Sequence, residues 1–201
     1  EVYTTTETYT IPMDAVDEVL NTATVTVNPE GFPDLSDELT ASASHLVDLF
    51  TAGVSINKTG DKTLVKSGEI INYTITVTNE SSDNAPALEG TVTDTMLGLS
   101  ENFSLGYGEK AVFNESYTVL ESDVAPLVNT AMVNASPVGF PNQYEASDRW
   151  EVDIFEPSIT IEKTGDDLSK AGDDVTYNIT VTNTSSENSP NLIGIVEDTL
   201  L

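Results

Sequence analysis

The chain has 201 residues, of which 34 are acidic and 7 basic, giving a formal charge of −27, and it has no cysteine. That balance excludes a nucleic-acid binder, whose affinity rests on neutralising phosphates with Lys and Arg, and it opposes anionic lipid surfaces. Disulfide staples are excluded too, and no apolar run reaches the ~18 residues of a membrane-crossing helix, so no membrane insertion is expected in this segment.

Such acidity suits an extracellular or high-salt setting, or one rich in divalent cations. There is no basic and apolar leader and no initiator Met, as expected of a mature or excerpted chain. Hydrophobic residues make up 38% of the sequence, and Val, Ile, Thr and Tyr, which favour pleated half-buried strands, are prominent among its residues.

Residues 1–53 match residues 109–158. Thr8-Tyr9-Thr10-Ile11 corresponds to Ser116-Tyr117-Thr118-Val119, and Val19-Leu20-Asn21-Thr22-Ala23 to Leu127-Val128-Asn129-Thr130-Ala131. Residues 54–97 match 159–201 in the same way. Ile56-Asn57-Lys58-Thr59-Gly60-Asp61 returns as Ile161-Glu162-Lys163-Thr164-Gly165-Asp166, and Asp94-Thr95-Met96-Leu97 as Asp198-Thr199-Leu200-Leu201. A period of about a hundred residues means tandem domains rather than a solenoid of small units.

The chain therefore divides into a back half (1–53), one complete domain (54–157) and a front half (158–201). Seven strands are expected in the complete domain, near 54–58, 63–66, 69–79, 88–95, 109–120, 127–135 and 146–155. Alternation is clearest in the third, with Ile71, Tyr73, Ile75 and Val77 inward and Asn72, Thr74, Thr76 and Thr78 outward. Gly, Pro, Asn and Asp clusters separate the strands at Asn79 to Pro86, Gly98 to Gly108 and Ser136 to Gln143. Many short strands in roughly a hundred residues predict an all-β chain of tandem immunoglobulin-like β-sandwiches. The joints Thr51-Ala52-Gly53 and Glu156-Pro157 are short enough for a semi-rigid rod.

The motifs Lys-Thr-Gly-Asp, Ser67-Gly68-Glu69 (with Ala171-Gly172-Asp173), Tyr73-Thr74-Ile75-Thr76-Val77-Thr78-Asn79, Val92-Thr93-Asp94-Thr95 and Val128-Asn129-Thr130-Ala131 resemble the conserved-repeat modules known as domain of unknown function number eleven. These are Ig-like tandem modules of bacterial and archaeal cell-surface proteins. The resemblance spans the whole chain. It implies a sandwich fold and a cell-surface setting, with no enzymatic activity. The segment from Leu97 to Gly108 is more compact than is usual in that family.

Neither half-domain can bury both sheets alone, and each would expose unpaired strand edges. The expectation is that 158–201 of one chain pairs with 1–53 of the next, a heterologous contact that builds a filament. The alternative is a window on a longer tandem array. By alignment, eleven residues equivalent to Gly98–Gly108 are absent between such neighbours. The functional reading is a head-to-tail structural subunit or repeat of an extracellular filament or stalk. The other is an adhesin whose repeats bind a cell-surface or polysaccharide ligand.

Three polar residues of the complete domain fall on the inward phase of their strands: Lys58 with Val54 and Ile56, Asp94 with Leu88 and Val92, and Asn129 with Leu127 and Ala131. Lys163 and Asp198 repeat the first two, and Asn21 repeats the third. A lysine in an apolar pocket becomes a nucleophile when it gives up its proton. Lysine, asparagine and a carboxyl shuttle in such a pocket are the ingredients of a Lys–Asn isopeptide bond. The candidate sets are Lys58, Asp94 and Asn129 within the domain, and Lys163 and Asp198 with Asn21 of a neighbour. The alternative is a Lys–Asp ion pair near a sandwich end, with the asparagine bonded to backbone.

Glycosylation acceptors stand at Asn57, Asn72, Asn79, Asn102, Asn114, Asn134, Asn178 and Asn183. No cofactor is expected. Calcium is a weaker candidate, at Asp14, Asp17 and Glu18, at Asp34, Asp37 and Glu38, and at Asp166, Asp167, Asp173 and Asp174. A solvated acidic face is the other meaning of such runs. The one histidine, His45, aligns near Trp150, and with no cysteine there is no zinc set or base–nucleophile triad. No enzyme is expected. Tyr107, Phe140, Tyr144 and Trp150 are candidates for an exposed binding patch or for packing.

Overall fold

A computed structural model describes residues 2–16, 18–31 and 39–200. The described residues hold strands and no helix, so none is long and apolar enough to cross a membrane. The first two strands, β1 (Val19–Val27) and β2 (Leu39–Val47), form an antiparallel two-stranded sheet by themselves.

The complete domain follows as β3 (Val54–Gly60), β4 (Leu64–Val65), β5 (Ile70–Asn79), β6 (Leu88–Asp94), β7 (Leu99–Leu105), β8 (Lys110–Thr118), β9 (Leu127–Pro137) and β10 (Tyr144–Ile154). One sheet has the order β3-β5-β8 and the other β4-β10-β9-β6-β7. Every pairing is antiparallel except the short parallel one between β4 and β10. The run β10-β9-β6 occupies the place of the G, F and C strands of an immunoglobulin-like sandwich. The last two strands, β11 (Ile159–Gly165) and β12 (Tyr177–Asn183), form a second separate two-stranded sheet.

The period-two alternation of β5 is obeyed: Ile71, Tyr73, Ile75 and Val77 are buried, and the residues between them are not. The expectation of seven strands is corrected to eight. The stretch expected to be a separator, Gly98 to Gly108, contains β7, with Leu99 and Leu105 buried and Phe103 half-buried on one face. Gly98 and Gly108 flank it with positive φ angles of 67° and 68°, so the turn glycines lie outside the strand and hide it.

The core has two parts. One gathers Ile75, Val77, Val92, Leu99, Leu105, Ala131 and Val133. The other gathers Val65, Ile71, Tyr73, Val119, Leu127 and Val152. At Gly90 the backbone of β9 approaches so closely that a Cβ would meet Asn134 O at 2.2 Å and Ala135 Cα at 2.7 Å. At Gly60 a Cβ would meet the Trp150 indole at 2.6 Å. That indole donates from Nε1 to Lys62 O at 2.9 Å and closes the loop between β3 and β4.

The joints on either side of the domain repeat one bonding pattern. At the first, Asn84 Nδ2 donates to Leu49 O (2.9 Å), Ser82 N to Thr51 O (2.9 Å), and Thr51 N to Ser82 Oγ (3.1 Å). At the second, Asn188 Nδ2 donates to Ile154 O (3.1 Å), Ser186 N to Glu156 O (2.9 Å), and Glu156 N to Ser186 Oγ (2.9 Å). At the first joint Phe50 also packs edge-on against Phe140, with ring centroids 4.8 Å apart.

Substituting Gly90→Ala forces β6 from β9 and lowers the stability of the complete domain by about 1–3 kcal/mol or more. Trp150 is the only tryptophan. Its fluorescence during urea denaturation of the full chain reads that domain alone.

A buried lysine, aspartate and asparagine between the two sheets

Lys58, Asp94 and Asn129 are each nearly fully buried, at 2%, 1% and 1% exposure. Asp94 ends β6, two residues after Val92 of the first cluster. On β9, Asn129 lies between Leu127 of one cluster and Ala131 of the other; on β3, Lys58 follows Ile56. The trio is thus enclosed by apolar residues of both clusters, with Lys58 over Tyr73 of the second.

Lys58 Nζ is ion-paired with Asp94 Oδ2, both side chains being fully buried. The other aspartate oxygen, Oδ1, accepts from Leu97 N at 3.1 Å. Asp148 Oδ2, on β10, accepts from Lys58 N at 2.7 Å and fixes β3 at that point. The ammonium also lies 4.6 Å from the centroid of the Tyr73 ring.

Tyr73 is the fourth member of the group. Burial, and then the Asp94 carboxylate, push its hydroxyl pKa up to about 12. The Asn129 carboxamide acts weakly in the opposite direction. Yet neither Tyr73 OH nor Asn129 Nδ2 finds a partner at hydrogen-bond geometry, and both are buried. Asn129 Nδ2 thus donates to no backbone carbonyl. Two orphaned polar atoms in one core are unusual, since nearly all buried polar groups are paired.

The second copy assembles the same group without its asparagine. Lys163 Nζ is ion-paired with Asp198 Oδ2 and lies 4.4 Å from the centroid of Tyr177. Here the lysine side chain is 42% exposed. Asn21, the match of Asn129, is exposed on β1. Its cross-strand partner is His45, as Trp150 is for Asn129.

The motif Lys-Thr-Gly-Asp acquires a physical reading. Its lysine enters the core and its glycine clears the indole. Its aspartate accepts from Asn72 N (2.8 Å) and Nδ2 (2.7 Å), which together hold the Asp61 carboxyl below its usual range. In the second copy Asp166 Oδ2 accepts from Thr176 N at 3.0 Å.

Of the glycosylation candidates, Asn57, Asn72, Asn102, Asn114, Asn178 and Asn183 are exposed and Asn134 is half-buried. Asn79 is different, and the folded domain leaves no room for a sugar on it. Its carboxamide is buried, donates to Leu105 O at 2.9 Å and accepts from Ser81 N at 2.9 Å.

Of the calcium candidates, Asp17, Asp34, Asp37 and Glu38 lie outside the described residues. Asp14, Glu18, Asp166, Asp167, Asp173 and Asp174 are exposed. Among the described residues no three acidic or histidine side chains converge on one point, and Asp173 is paired with Lys170.

The aromatic residues do not gather into one patch. Phe140 packs on Phe50, Trp150 closes over Gly60, and Tyr107 is exposed on the turn before β8. The sequence reading missed Tyr73, which it counted as an ordinary core residue. Its recurrence as Tyr177, on the inward phase next to Lys-Thr-Gly-Asp, was the available signal.

No family model and no curated relative matches the chain, so the resemblance to the conserved-repeat modules rests on the motifs alone. Solved structures similar over part of it include three. The crystal structure of the CARDB domain of a Pyrococcus furiosus protein, in complex with di-metal ions, is 14% identical over 52% of this chain and 94% of that one, with a TM-score of 0.31. The solution structure of that domain is 18% identical over the same shares, with a TM-score of 0.32. A conjugative transposon lipoprotein of Bacteroides eggerthii is 13% identical over 48% and 95%, with a TM-score of 0.26.

The Tyr73→Phe variant removes an unpartnered hydroxyl and leaves stability at pH 7 unchanged or raises it by about 1 kcal/mol. The folded hydroxyl keeps its proton to about pH 12, whereas the ordinary value is 10.0. The shift therefore costs nothing below pH 10, where the phenol is neutral in both states, and its penalty grows as pH rises from 10 to 12. Over that window the native chain loses roughly 2–3 kcal/mol that the variant retains. Urea midpoints between pH 7 and 12 check both outcomes.

Proposed function

We propose that this chain is a structural unit of an extracellular cell-surface filament or stalk, joined head to tail by strand complementation. One observation carries the reading: the flanking hairpins are register copies of the two halves of the complete sandwich, and they expose what that sandwich buries. Val19↔Val47 and Asn21↔His45 repeat Leu127↔Val152 and Asn129↔Trp150. Ile161↔Val181 and Lys163↔Ile179 repeat Ile56↔Val77 and Lys58↔Ile75. Val92 and Val133 are 0% and 2% exposed, while their counterparts Val196 and Val25 are 56% and 54% exposed.

The front half presents an open apolar groove of ≈ 450 Å³, lined by Ile159, Val181, Leu192, Ile195 and Val196 among others. In the complete domain the matching segment, β6, pairs with β9, setting Val92 beside Val133. Since β1 copies β9, a second copy of this chain places Val25 beside Val196. Residues 2–10 copy β8, which pairs with β5, and so add a strand beside β12. The occupant is thus a segment with the same strand pattern and complementary edges. Such a contact does not close on itself and propagates as a thread.

The extracellular setting is supported by the charge, the sequons and the resemblance to surface repeat modules. No catalytic role is assigned. Covalent closure of the joint, by Lys163 and Asp198 acting on Asn21 of the neighbour, belongs to the same reading.

The clearance at Gly90 gives a specific test. A Cβ at the matching Gly194 meets nothing within 4 Å, because no strand lies beside it. The variant Gly194→Ala therefore leaves Trp150-monitored stability unchanged but weakens assembly at least tenfold, the equivalent of about 1.4 kcal/mol. Ile179→Glu, which places a charge at the counterpart of buried Ile75, abolishes assembly. Sedimentation and negative-stain microscopy of the full chain check both. A native chain that stays monomeric at every concentration, or a Gly194→Ala chain that polymerises like the native one, overturns the reading.

A further inference from the structure

We propose that Lys58 and Asn129 are joined by an amide bond that crosses the sandwich, formed by the domain itself with Asp94 as the acid–base group. The proposal concerns the complete domain only and stands whether or not the chain assembles.

Four observations converge. Lys58 is buried with its Nζ against the Asp94 carboxylate. Asn129, on the facing sheet, is buried with its Nδ2 unbonded. Tyr73 carries the ammonium over its ring, 4.6 Å from the centroid, and its own hydroxyl is buried without a partner, as is Asn129 Nδ2. The surroundings are the two apolar clusters, which hold water away from an amide under attack. A merely structural asparagine at this depth would have bonded its amide. A leaving group is better left unbonded.

The chemistry balances within the site. The Lys58 ammonium passes one proton to Asp94, giving a neutral amine and a carboxylic acid. The Nζ lone pair attacks Cγ of Asn129, and the acid donates to the amide as the tetrahedral intermediate forms. The new Nζ–Cγ bond is kept and the Cγ–Nδ2 bond breaks. One of the two protons on Nζ returns to Asp94 as ammonia leaves, and the other stays as the amide N–H. The products are a secondary amide, one ammonia and a protonated Asp94, with no oxidant or energy source consumed. Tyr73 holds the reacting amine over its ring and is a positioning residue.

In the second copy Lys163, Asp198 and Tyr177 already stand together and lack only the asparagine. Asn21 of a neighbour would supply it, a consequence that rests on the assembly reading and has its own readout.

The test is the mass of the denatured full chain, made without glycosylation. The native chain is expected to weigh one ammonia less than its sequence. Trypsin is expected to spare Lys58 and to release residues 1–62 linked to residues 111–149. In Lys58→Arg, which keeps the charge opposite Asp94 but offers no amine, and in Asp94→Asn, the full mass returns. Near-ultraviolet circular dichroism of Lys58→Arg shows that the fold survives. A native chain of full mass that is cut at Lys58 overturns the bond. A deficit that persists in Lys58→Arg overturns the nucleophile, and one that persists in Asp94→Asn overturns the acid–base role. Assembled material is expected to run as a ladder in denaturing gels, lost in Asn21→Ala while the monomer keeps its deficit. Threads without a ladder overturn only the bond between copies.

Discussion

A β-sandwich buries nothing until both of its sheets are present. Ile75 and Val77 on β5 are sealed because β6 and β9 lie across from them. Ile179 and Val181 on β12, in the same register against β11, are open because among the described residues no second sheet lies across from them. The strand sequences are nearly the same, so local propensity does not decide burial here. The opposite sheet decides it, and the rest of the molecule follows from how that sheet is supplied.

The same constraint explains the polar group in the core. A lysine and an aspartate taken from water cost several kcal/mol each, and their attraction returns this only with good geometry. Apolar residues of similar size would serve packing as well or better. Retention of the lysine, the aspartate and the tyrosine in both copies, one of them half-open, therefore points away from packing as their purpose. A chain with no cysteine has few other ways to tie its two sheets together.

Much of the fold was legible in the sequence because strands alternate and turns carry Gly, Pro and Asn. The β5 phase could be read residue by residue. The inward positions of Lys58, Asp94 and Asn129 followed from the same rule. What could not be read had a physical reason. The β7 strand is bracketed by turn glycines close enough to mask seven residues of alternation. Tyr73 reads as apolar until its hydroxyl is seen to lack a partner. Asn79 reads as a sugar acceptor because the triplet pattern says nothing of burial. Asn84 and Asn188 read as loop residues, since their bonds to carbonyls of the preceding module exist only in three dimensions.

Those two asparagines have one further consequence. The bonds that set the first joint are copied, group for group, at the second. The same donor and acceptor groups thus tie each module to the strand end before it, with one asparagine amide per joint reaching back across the boundary.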